Sequence, residues 1–180
     1  MENIDPYAFA TQGRHLEGTI PVSSLGRLIP LLATDDAEEI ARHQVDYTLL
    51  FGLDEGGVRG ILGKLEATLP LRCQRCMEVM QMVLHVDIQL GLVSSQKATE
   101  MLPDSYDPLL VSEEGVTVAS IVEDELILAL PIVAMHEKED CPKGEAFLKK
   151  AHDKEGDAHK RENPFAMLAT LKTSQSTKND

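Results

Sequence analysis

The sequence predicts an α+β protein: an antiparallel β-meander sheet, a few helices packed on it, and a flexible C-terminal tail. Three observations lead there. Apolar and polar residues alternate over three successive segments between residues 45 and 92. One apolar stripe at helical spacing follows Thr117, a residue suited to capping a helix. Beyond residue 142 the chain is charged and poor in large apolar side chains.

Taken in order, Leu16 to Val22 reads as an edge strand, because Pro21 cannot donate to a central ladder. Leu25, Leu28, Ile29 and Leu32 recur at helical spacing behind Ser24, so a short helix is expected there, ended or kinked by Pro30. Thr34 to Glu39 reads as a loop or short capped turn. Val45, Tyr47, Leu49 and Phe51 form the first meander strand, and Asp54-Glu55-Gly56-Gly57 supplies a hairpin turn. The returning strand carries Ile61, Leu65, Ala67, Leu69 and Leu71. Cys73-Gln74-Arg75-Cys76 interrupts it, and a third strand carries Met80 to Leu92 on alternate positions. Such alternation buries one face and leaves the other wet.

Residues 96–115 read as loop, punctuated by Pro103, Pro108 and Gly115. A helix is expected over about 118–130, with Val118, Ile121, Val122, Leu126 and Ala129 inward, Glu123, Asp124 and Glu125 as an acidic patch, and Pro131 as its stop. Far downstream, Asn163 can cap and Pro164 suits a first helical position, so Phe165, Leu168 and Leu171 share one face of a short amphipathic helix. The chain thus divides into one α+β domain over residues 1–141, a mobile charged linker over 142–162, and the short helix over 163–172.

Composition narrows the function. Apolar residues make up 43% of 180, enough for a real core, but aromatics are only 4% and Trp is absent, so Leu, Val, Ile and Met must build it. The net charge of −13 disfavours generic binding to a phosphate backbone. It is also uneven. Residues 1–135 hold 8 Lys and Arg against 21 Asp and Glu, whereas residues 136–180 balance 9 against 9. The first residues lack a basic stretch followed by an apolar run, so no secretory signal is expected. The longest apolar run, Leu126 to Met135, is interrupted by Pro131 and too short to span a bilayer. A chain inside the cell with three cysteines points to metal ligation or free thiols rather than structural disulfides.

Cys73 and Cys76 have the Cys-x2-Cys spacing with which a tight turn wraps one tetrahedral ion. His136 and Cys141 supply a second pair. Three sulfurs and one imidazole complete a zinc shell, and a shell filled by protein alone is structural. Three free thiols, or a redox pair at 73 and 76, are the alternatives. A redox pair usually sits at a strand–helix junction, whereas this one lies between strand-like segments. No glycine-rich nucleotide loop, no Gly-x-Ser-x-Gly and no His-Glu-x-x-His occurs. Glu123, Asp124 and Glu125 are consecutive on a helix and diverge by about 100° each, so they do not converge on one Mg²⁺ unaided.

Three stretches stand out: Leu71-Arg72-Cys73-Gln74-Arg75-Cys76; Leu102 to Pro108 with Ile121 to Pro131 and then His136 and Cys141; and Asn163-Pro164-Phe165-Ala166-Met167-Leu168-Ala169. In order and spacing they resemble the YceD family of large ribosomal RNA subunit accumulation proteins. The resemblance implies a bacterial cytoplasmic factor for synthesis, processing or stability of 23S ribosomal RNA, with no known catalytic activity. Many relatives look like four-cysteine versions, and His136 falls near one of the late cysteines. Zinc held by Cys73, Cys76, His136 and Cys141 is the expected cofactor. The expected partner is a ribosomal protein or pre-ribosomal particle, with contact to 23S ribosomal RNA indirect, and with no membrane and no small-molecule substrate. Residues 100–125 contain eight carboxylates and no Lys or Arg, which suits a basic protein. Glu123, Asp124 and Glu125, with Asn163, Phe165 and Leu168 of the tethered helix, are the candidate partner-binding residues. The rival expectations are a metal-dependent RNA-processing enzyme using Glu123, Asp124 or Asp107, and a zinc-knuckle-like RNA-binding module using Arg72 and Arg75.

Overall fold

A computed structural model describes residues 3–112, 115–137 and 140–142. The expected linker over 142–162 lies outside the described residues apart from Pro142, and the expected helix over 163–172 lies wholly outside them. A compact unit ends at His136. Its elements are β1 (Asn3–Ile4), α1 (Pro6–Gln12), β2 (His15–Pro21), α2 (Ala37–Ile40), β3 (Gln44–Leu53), β4 (Arg59–Arg72), β5 (Val79–Val93), α3 (Gln96–Thr99), β6 (Asp107–Leu110), β7 (Val116–Thr117) and α4 (Val118–Ala129). Five strands form the main sheet in the order β2-β3-β4-β5-β6, and β1 pairs with β7 in a small ribbon.

From β2 to β5 the sheet is the expected antiparallel meander, with Val45 opposite Ala67 and Leu65 opposite Val86. The last strand corrects the expectation. β6 runs parallel to β5, pairing Leu92 with Leu109, so the sheet is mixed. The sequence hides this strand because it is four residues long and contains Pro108, which only an edge position tolerates. A second correction concerns the expected helix after Ser24. Two 3₁₀ turns, Val22–Ser24 and Ile29–Leu31, stand in its place. Pro30 has no N–H to continue an α-helical ladder, and the short turns still bury Val22, Leu25 and Leu28.

α1 is set by local chemistry: the Asp5 carboxylate accepts from the N–H groups of Tyr7 and Ala8, Pro6 opens the first turn, and Gly13 closes the helix at φ 62°. Phe9 of α1 meets Phe51 of β3 edge to face, with ring centroids 5.4 Å apart. Phe51 is fully buried, a contribution of about 2–3 kcal/mol from its area alone. α4 packs on β5 and is capped at Thr117 by a reciprocal pair with Ser120. These pieces cover one face of the sheet, where Leu49, Ile61, Leu65 and Leu69 meet Ile121, Val122 and Leu126 in one core. Thr48, Lys64, Glu66, His85 and Asp87 line the other face and are exposed.

Candidate metal centre

β4 ends at Arg72, and residues 73–78 turn the chain into β5. The turn closes on itself: the Cys73 N–H donates to the Glu78 carbonyl and the Met77 N–H to the Cys73 carbonyl. Met77 adopts φ 66°, the left-handed conformation such a tight reversal demands, although glycine would fit there at lower cost. The turn is also fastened to the segment after α4. The Gln74 N–H donates to the Ala134 carbonyl at 2.8 Å, and its side-chain amide donates to the Ile132 carbonyl at 3.2 Å. This fastening brings His136 to the cysteine turn across sixty positions of sequence, with Nδ1 3.5 Å from Cys76 Sγ.

The ligand atoms of Cys73, Cys76, His136 and Cys141 all lie within 4.8 Å of one another. All three sulfurs are buried. The spacing fits a tetrahedral ion. Zn–S bonds of about 2.3 Å and a Zn–N bond of about 2.0–2.1 Å place sulfur and nitrogen about 3.6 Å apart, close to the Cys76–His136 separation. Burial alone would raise the Cys73 thiol's pKa. The N–H groups of Cys76, His136 and Arg75, with the His136 side chain, outweigh it and lower the thiol to about 5. A thiol so surrounded is a thiolate at neutral pH, the form that binds metal.

The three acidic residues of α4 do not share one surface. Glu123 is buried, and its carboxylate accepts from the N–H groups of Arg27 at 2.6 Å and Leu28 at 3.3 Å and from Arg27 Nε at 2.9 Å. It is thus spent on holding the 3₁₀ segment to α4 and is not offered to a partner. Asp124 Oδ1 lies 2.7 Å from Arg27 Nη1 and remains half exposed. Sequence reasoning missed Arg27. The signal was the spacing of Glu123, four residues after Ala119 and three before Leu126, which puts it among the buried positions.

Glu125 is partly buried, and burial, then the charges of Asp107 and Asp124, push its pKa up. A carboxyl whose folded-state pKa is raised favours the fold below its unfolded pKa, and that contribution is lost as pH rises through the folded value. Glu125→Gln is therefore expected to match the parent in acid and to be the more stable protein at neutral pH. Urea unfolding at both pH values checks this, and a less stable variant at neutral pH would contradict it.

Among the described residues, the Cys73 cluster is the one grouping of three or more Cys, His, Asp or Glu side chains able to share an ion. Fold and site together define an α+β protein with a Cys₃His cluster able to hold a metal ion at the end of its longest hairpin. Residues 61–172 match the family described as large ribosomal RNA subunit accumulation protein YceD. A relative of that description from Haemophilus influenzae is 36% identical over 129 residues, covering 69% of this chain and 72% of its own. The chain belongs to the YceD family. No solved structure matches it.

Proposed function

We propose that this protein is a non-enzymatic ribosome-biogenesis factor of the bacterial cytoplasm that supports synthesis, processing or stability of 23S ribosomal RNA through protein or ribonucleoprotein contacts. The family match over residues 61–172 carries the reading. The net charge of −13 supports it, because an acidic body holds a basic ribosomal protein more readily than it holds bare RNA. No helix among the described residues is long and apolar enough to cross a membrane.

In this reading zinc is structural. Cys73, Cys76, His136 and Cys141 hold it and fill its coordination, so the ion fastens turns and supplies no open position for chemistry. Asp124 and Glu125 contribute acidic surface toward the partner. The domain of residues 1–141 is followed by a charged tether over 142–162, and Asn163, Phe165 and Leu168 present a short apolar helix face to a partner's groove. Deleting the gene in its own host tests the function. The ratio of 23S to 16S ribosomal RNA is expected to fall and to recover on complementation. An unchanged ratio with a normal ribosome profile removes the reading.

A further inference from the structure

The open face of the sheet ends in a row of three glycines on adjacent strands: Gly52 of β3 opposite Gly60 of β4, and Gly60 opposite Gly91 of β5. Two of them have a visible reason. A Cβ on Gly91 would meet the Leu102 side chain at 2.7 Å, and one on Gly60 would meet the Leu90 carbonyl oxygen at 2.5 Å and the Tyr106 ring at 3.3 Å. Gly52 has none. Its φ is ordinary, and a Cβ there would have nothing within 4 Å. Gly52 is the penultimate residue of β3, and a strand glycine with open space above it leaves the backbone accessible to close approach by another group.

Gly52 lines a small cavity of about 120 Å³ with Leu50, Leu53, Val58, Leu62 and Tyr106, and its one charged group is Asp54. The leucines are exposed around it. The Asp54 carboxylate is fixed: Oδ1 accepts from the Val58 N–H at 2.7 Å and Oδ2 from the Tyr106 hydroxyl at 2.9 Å. Those bonds lower its pKa, so it stays ionised. No basic residue lines the cavity.

We propose that this cavity is a subsite for one long cationic side chain, Lys or Arg, from a basic protein segment lying on the open face of the sheet. The aliphatic stem packs on Leu50, Leu53 and Leu62 over the bare backbone of Gly52, and the head reaches Asp54. Charge complementarity selects the occupant: apolar walls alone would take any hydrophobe, and an exposed carboxylate alone would take any cation. The inference deepens the protein-contact reading by naming the side chain that one point of contact takes.

The test uses the full-length protein labelled with ¹⁵N and short capped peptides, Gly-Arg-Gly and Gly-Lys-Gly, titrated to millimolar concentrations. Peptides with citrulline or norleucine at the centre serve as neutral controls. The Arg or Lys peptide is expected to shift the amide signals of Gly52, Val58 and Gly60, with the neutral peptides binding about fivefold more weakly or less. Gly52→Val fills the cavity while its β-branched side chain suits a strand, so it is expected to abolish the shifts and leave the rest of the spectrum in place. Equal shifts from the citrulline peptide, shifts that survive Gly52→Val, or no shifts at these amides would each overturn the proposal. None of these outcomes depends on ribosomal RNA levels, so the subsite and the proposed function fail separately.

Discussion

Glu123→Ala is expected to destabilise the protein by about 3 kcal/mol, far more than a surface carboxylate would. The loss has two sources. The Arg27 and Leu28 N–H groups lose their acceptor at a buried position, and the Arg27 guanidinium loses its better-shielded partner. Arg27 is itself 56% exposed at the side chain and can turn to water, which keeps the cost below that of a fully enclosed pair. Glu123→Gln retains an acceptor oxygen for the two backbone donors and is expected to cost roughly half as much. Urea unfolding of the two variants measures the difference. A loss under 1 kcal/mol for Glu123→Ala would show that the 3₁₀ segment holds its place by apolar burial alone.

The second large effect concerns the ion. Purified protein is expected to carry one zinc per chain by metal analysis, and Cys73→Ser to carry none. Structural zinc binds with on the order of 10 kcal/mol in favourable cases, and that free energy belongs to the folded state. Removing the metal with a chelator is therefore expected to lower Tm by roughly 10 °C or more, with the signals of residues 72–78 and 132–136 changing first. Cys76→Ser should behave alike, because each replacement breaks the same shell. Protein free of metal as purified from zinc-containing medium, with a Tm indifferent to chelator, would dispose of the centre and leave three buried thiols.

The parts legible in the sequence were those written in local, periodic chemistry. Alternation over Val45 to Leu92 placed β3, β4 and β5, and Thr117 with Pro131 bounded α4 to within a residue. The Cys-x2-Cys turn and the pair after the helix were visible as spacing, though their meeting depends on the Gln74 and Ala134 backbone bond, which no pattern announces. What escaped depended on tertiary partners. β6 is a strand only because β5 lies beside it, and the outward face of β5's last residues is covered by Leu102 and Tyr106. Glu123 looked like solvent chemistry because a carboxylate is normally exposed, and only Arg27, ninety-six positions away, explains its burial. α1 was overlooked although Asp5, Pro6 and Gly13 spell its cap, first turn and stop, because seven residues carry too little periodicity to stand out.

The mixed order of the sheet also decides how copies of this chain avoid one another. Its two outermost strands, β2 and β6, contain Pro21 and Pro108, each of which removes a backbone donor from the rim. A neighbouring strand laid along either rim would lose one ladder bond, at the last residue of β2 or the second of β6, which weakens growth of the sheet from molecule to molecule at both sides. Encounters are thereby directed to the broad surface between the rims, where side chains, and not the peptide backbone, choose the company.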